Sequence, residues 1–276
     1  MHRPFAQVDV FSTGPGLGNP LAVVLDGSGL STDAMLRFAR WTNLSETTFL
    51  LPSDSPVADY RVRIFTPETE LPFAGHPTLG SCHAWLEAGG RPRSGGSVIQ
   101  ECGAGLVEVR RTDDGLAFGA PPLLRSGPVD EEDLAAIAGT LGIRRDAIVD
   151  AAWADNGPGW VAVLLGSAAE VLALRPEGVT LDVGVVGFYP AGSPAAIELR
   201  AFYRQGGFTV EDPVTGSLNA SVAQWLIETE RLAAPYVASQ GLALGRAGRI
   251  VVTQDAGGQV FVAGRTVTIV SGTVDL

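Results

Sequence analysis

Ala74-Gly75-His76-Pro77-Thr78-Leu79-Gly80 leads into Trp85-Leu86, and Val214-Thr215-Gly216-Ser217 leads into Trp225-Leu226. In both stretches a polar, glycine-containing turn precedes a helical Trp-Leu pair, and the two lie about 140 residues apart, far beyond the ~20 to 50 residues of a solenoid repeat. The correspondence extends outward on both sides. Ala22-Val23-Val24-Leu25 returns as Ala162-Val163-Leu164-Leu165, Pro52, Ser55 and Pro56 return as Pro190, Ser193 and Pro194, and Arg63 and Phe65 return as Arg200 and Phe202. The chain therefore reads as two similar domains, 1–121 and 122–276, joined near Pro121-Pro122, with its last strand free to return to the first.

Composition narrows the function. The chain has 276 residues, 46% of them hydrophobic, which suffices for two cores. A net charge of -11 with no basic stripe argues against a nucleic-acid surface. All 19 basic residues are arginine, which excludes lysine Schiff-base chemistry and the lysine of a phosphate-binding P-loop. Cys82 and Cys102 lack metal-ligand spacing, and His2, His76 and His83 are too few and too scattered for a histidine-built centre, so no metal is expected. The first 25 residues do not follow the pattern of a signal peptide and no apolar run reaches ~18 residues, which predicts a cytoplasmic protein with no membrane contact.

Short strands at Gln7–Phe11 and Leu21–Leu25 flank Gly14, Gly16 and Gly18. A β-branched run follows these glycines instead of a helix, so they read as a hairpin connection and not as a dinucleotide loop. Ser31 caps a predicted helix over Asp33–Trp41, and strands follow at Glu46–Leu51 and Tyr60–Phe65. Pro77 is expected to open the next helix, leaving His76 just before it. In the second half, strands at Trp160–Leu165, Val185–Tyr189 and Ile197–Phe202 precede the Trp225 helix, and Asp130 to Asp133 complement the dipole of an earlier one. Strands dominate, with one principal helix per half: an α+β arrangement.

Glu46, His76, Asp212 and Ser217 are polar residues for which structure alone gives poor reasons. Glu46 opens an apolar strand, where burial would raise its pKa from ~4.3 toward the ~6 to 7 suited to taking and returning protons. Ser217 taken alone reads as an N-cap and His76 as a turn residue. Open N–H groups at Gly75 to Leu79 and Thr215 to Leu218 would make two anion sites in a chain with no lysine.

Asn19-Pro20, Glu46-Thr47-Thr48-Phe49, Pro72 to Gly80 and Glu211 to Ser217 together resemble the PhzF-like proteins of phenazine biosynthesis. The resemblance implies a diaminopimelate epimerase-like fold, in which two β-barrel-like domains each wrap a central helix and face a catalytic cleft. It also implies a homodimer, no cofactor and a small carboxylate substrate of dihydro-hydroxyanthranilate type. Glu46 would move the proton, assisted by His76, Asp212 and Ser217, with Asn19, Gly75, Gly216 and Leu218 around the substrate. Related racemases place cysteines at the two helix starts, where this chain has none. Leu218 stands where alanine is common, and its bulk is expected to alter the pocket. Two alternatives remain at this stage: a serine hydrolase using Ser217 with His76 as base, and a non-catalytic binder of small anionic metabolites.

Overall fold

The computed structural model describes every residue except Ser94. The chain divides into two compact units, Met1–Gly119 with Ala263–Leu276, and Ala120–Val262. The first contains β1 (His2–Val10), β2 (Asn19–Val24), α1 (Thr32–Thr42), β3 (Glu46–Leu51), β4 (Tyr60–Phe65), β5 (Glu70–Leu71), α2 (Gly75–Glu87), β6 (Ser97–Cys102), β7 (Gly105–Thr112) and β8 (Gly115–Gly119). The second contains β9 (Arg125–Pro128), α3 (Glu131–Leu141), β10 (Asp150–Asp155), β11 (Val161–Leu164), α4 (Ala168–Ala173), β12 (Val183–Phe188), β13 (Ile197–Gln205), β14 (Phe208–Asp212), α5 (Gly216–Glu228), β15 (Tyr236–Gln240) and β16 (Gly248–Gln254). β17 (Val260–Gly264) and β18 (Thr266–Asp275) follow, and β18 lies antiparallel to β1 in the first unit.

Both units are wound by the same rule. An antiparallel hairpin (β1–β2, β10–β11) leads through a crossover helix (α1, α4) into a parallel neighbour (β2–β3, β11–β12). A second antiparallel pair (β3–β4, β12–β13) then leads through a longer helix (α2, α5) into a second parallel pairing (β4–β6, β13–β15). Parallel neighbours require a crossover, and here that crossover is a helix each time. The expectation of one principal helix per half is thus filled out by α1 and α4, and by α3 packing beside the second sheet. A repeated side-chain motif marks the duplication. Arg63 grips Glu70 through Nε at 2.7 Å and lies 5.1 Å over the Phe65 ring, while Arg200 grips Glu211 through Nε at 2.9 Å and lies 4.8 Å over Phe202.

The longer helices are buried on nearly all sides. Gly75 to Cys82 of α2 and Gly216 to Ala223 of α5 are covered without interruption. A helix closed in all round belongs in a core and needs no polar stripe, so neither sequence shows strong amphipathic spacing. The sheets approach this closely because the helices carry small residues. A Cβ on Gly80 would sit 2.5 Å from a Leu21 methyl and 2.9 Å from a Val10 methyl, inside contact distance. Two hydroxyls of α2 find partners in the core: Thr78 Oγ1 donates to the Ala74 carbonyl at 2.9 Å and Ser81 Oγ to Thr48 Oγ1 of β3 at 2.9 Å. Among the described residues no helix is long and apolar enough to cross a membrane.

Two stability outcomes follow from this packing. Gly80→Ala overfills the space between α2 and the β1–β2 hairpin and should cost about 1 to 3 kcal/mol in denaturant unfolding. Glu198 of β13 is fully buried, and burial pushes its pKa from 4.5 up to about 7 against the opposing hydrogen bonds of Ser239 and Tyr189. The folded chain holds a proton there that the unfolded chain has released above pH 4.5, so this contribution is lost as pH rises through about 7. Glu198→Gln should therefore raise Tm at pH 8 and leave it near wild type at pH 4.

Candidate active site

In the first unit, the ends of three elements bring Asn19, Glu46 and His76 together. Asn19 opens β2, Glu46 opens β3 opposite Leu21 of β2, and His76 is the second residue of α2. This corrects the expected helix start: Ala74 is the N-cap, and His76 lies inside the first turn. Pro77 fits at the third helical position because the first four amides of a helix have no intrahelical partner in any case. The Asn19 amide nitrogen lies 3.4 Å from His76 Nδ1, and Glu46 Oε2 lies 3.4 Å from His76 Nε2. With Asn19 as donor, Nδ1 accepts and the ring proton sits on Nε2, facing the carboxylate. The imidazole is enclosed, and burial pushes its pKa from 6.5 down to about 3 even with Glu46 at hand. It is a neutral histidine at physiological pH, beside a carboxylate that is still 15% exposed.

In the second unit, Asp212 ends β14 and Ser217 is the second residue of α5. The cap is Thr215 and not Ser217. Thr215 Oγ1 donates to Asp212 Oδ2 at 2.6 Å, and its own N–H is taken by Gln240 Oε1 at 3.0 Å. The open row of amides expected from Thr215 to Leu218 is therefore shortened at its first member, as Thr78 shortens the other by bonding the Ala74 carbonyl at 3.2 Å. Gln240 also accepts from Asn219 Nδ2 at 2.9 Å and donates to the Asp212 carbonyl at 3.1 Å, so one buried amide knits β14, β15 and α5 together. Gln100 is its counterpart beneath α2, donating to Thr78 Oγ1 at 3.0 Å and accepting from Tyr60 at 2.9 Å.

Ser217 is held by two residues that the sequence reading passes over. The Trp160 indole N–H donates to Ser217 Oγ at 3.2 Å, and Asn156 Nδ2 donates to the Ser217 carbonyl at 2.8 Å. Trp160 reads as the start of a strand, and Asn156 belongs to the polar turn Asn156-Gly157-Pro158-Gly159. Neither has a local signal of function. The hydroxyl's partner here is a donor, not a base. Gly75 and Gly216 are the first helical residues of α2 and α5. Leu218 is fully buried over Gly184 of β12, where a Cβ would meet its Cδ1 at 2.4 Å, so its bulk fills core space.

Residues 8–272 match the profile of the phenazine biosynthesis-like (PhzC-PhzF) proteins. The chain belongs to this family. It is 36% identical to antisense-enhancing sequence 1 of Schizosaccharomyces pombe, with 97% of each chain covered. It is 34% identical to a trans-2,3-dihydro-3-hydroxyanthranilate isomerase of Pseudomonas aeruginosa, over 94% of this chain and 92% of that one. A Bacillus anthracis PhzF-family crystal structure superposes over the full length of both chains with a TM-score of 0.83 at 23% identity, and so speaks for the fold. The α+β, diaminopimelate epimerase-like class and the isomerase class of the PhzF-like proteins both follow.

His76 makes the site visible in acid. Below pH 6.5 the unfolded chain takes up a proton that the folded imidazole refuses until about pH 3, so stability from this residue is complete above 6.5 and is lost as pH falls toward 3. His76→Gln should flatten that limb of a plot of Tm against pH; an unchanged limb would place the acid sensitivity elsewhere.

Proposed function

We propose that this chain is a cofactor-independent isomerase that moves a proton between carbons of a small unsaturated cyclic carboxylic acid, with Glu46 as the group that carries it. The observation that bears most weight is the Glu46–His76–Asn19 arrangement. A carboxylate that shuttles a proton must reach solvent-sized space yet keep a fixed direction. Glu46 meets this description: it starts a strand, is mostly covered, and has a neutral imidazole beside it. In this reading Glu46 removes a proton from an sp3 carbon next to the unsaturated system and returns it to another carbon of the same molecule. The electron pair released is spread through the conjugated part of the substrate, and the double bond moves. His76, fixed by Asn19, offers its Nε2–H to the substrate or to the carboxylate as charge shifts between them.

The same reading gives Asp212 and Ser217 the task of holding polar groups of the substrate, with Ser217 donating to a carboxylate. The relative that acts on trans-2,3-dihydro-3-hydroxyanthranilate supplies a compound of the right chemistry: a ring carboxylate with an sp3 carbon beside a diene. Positioned acid–base groups contribute typically ~10² to 10⁴ in rate. Glu46→Gln keeps the shape and removes the proton acceptor, so turnover of that compound should fall by about this factor while thermal unfolding stays near wild type. A folded Glu46→Gln chain with wild-type turnover would refute the assignment.

A further inference from the structure

The hydrogen-bonding direction of Ser217 is set by its neighbours. An indole N–H donates and cannot accept, so the contact between Trp160 Nε1 and Ser217 Oγ at 3.2 Å makes the serine oxygen the acceptor. Among the described residues nothing takes the proton of the Ser217 hydroxyl. Trp160 is only 4% exposed, so its N–H has no free access to water as an alternative partner. The loop that brings it here is itself fixed: Asp155 Oδ1 accepts from the amides of Gly157 at 2.7 Å and Gly159 at 2.8 Å, and the Trp160 carbonyl accepts from the Ala154 amide at 3.0 Å. Asn156, from the same loop, clamps the Ser217 carbonyl. The first unit repeats the device. There the β1–β2 hairpin presents Asn19 to His76, which like Ser217 is the second residue of the central helix.

We infer that Trp160 is a positioning residue for Ser217. By donating to the serine oxygen, it leaves the hydroxyl proton for the substrate and commits Ser217 to donate to an acceptor there, a carboxylate oxygen. The inference rests on the reading of Ser217 as the carboxylate anchor, and it adds that the β10–β11 hairpin sets which way that anchor points. Without the indole, the hydroxyl is free to rotate and to accept instead of donate, so the substrate is held less firmly while the proton-moving groups are untouched.

The test is a double-mutant cycle on trans-2,3-dihydro-3-hydroxyanthranilate using Ser217→Ala, Trp160→Phe and the pair together. Each single change should raise KM about tenfold with kcat altered far less, since one hydrogen bond to a charged group is at stake. The double variant should be no worse than Ser217→Ala alone. Independently of how Trp160→Phe folds, the Trp160 indole N–H proton resonance should move upfield in Ser217→Ala as its acceptor is lost. If Ser217→Ala leaves KM unchanged, the anchor reading fails and this inference with it. If Ser217→Ala raises KM but Trp160→Phe does not, or if the two effects simply multiply, or if the indole resonance stays put, the anchor stands and the positioning role is overturned.

Discussion

The enclosure of most of α2 and α5 is the constraint on which the rest depends. Each helix fills the interior of its own unit, and the sheet can close around it only because glycine, alanine and serine occupy the faces that meet the strands. An enclosed helix cannot slide or rotate without overlapping its neighbours, since interiors are packed to the density of organic crystals. Its first turn is therefore held to the accuracy of the core. Side chains on that turn inherit this rigidity, which suits groups that must meet a small substrate at fixed distances.

Enclosure also sets the electrostatics. Removing water from around His76 holds its ring neutral, and the Asn19 amide fixes its tautomer. The same desolvation makes every polar atom near the helix starts costly unless it is bonded. Gln100 and Gln240 answer that demand from corresponding strands, each using both ends of its amide beneath a central helix. The duplicated chain has kept this support in both copies while the second residue of each helix has diverged, to histidine in one and to serine in the other.

Much of this was legible in the amino-acid order. The repeated turn and Trp-Leu pair revealed the duplication, the strand readings placed β3 and β4 to the residue, β4 by its alternation, and the motifs around Glu46, His76, Asp212 and Ser217 pointed to the family. What stayed hidden depends on distant partners. Trp160 looks like any strand-leading aromatic until β10 and β11 pair and carry it to α5, and Gln240 looks like the polar end of a short strand until parallel pairing with β13 sets it under Thr215. β10 and β15 themselves escaped notice because Asp150–Asp155 and Tyr236–Gln240 are short and rich in alanine and polar residues. Pro77 misled for a different reason: proline is tolerated throughout the first helical turn, so it marks a helix start only to within a residue or two.

The central claim is that a proton leaves one carbon of the substrate and arrives at another by way of an exchangeable carboxyl group. Mass spectrometry and NMR of the product formed from trans-2,3-dihydro-3-hydroxyanthranilate in heavy water test it most directly. The account predicts deuterium bound to carbon at the position that receives the proton, appearing only with the protein present. Complete conversion with no carbon-bound deuterium, or tight binding of the compound with no conversion and no exchange, would contradict it.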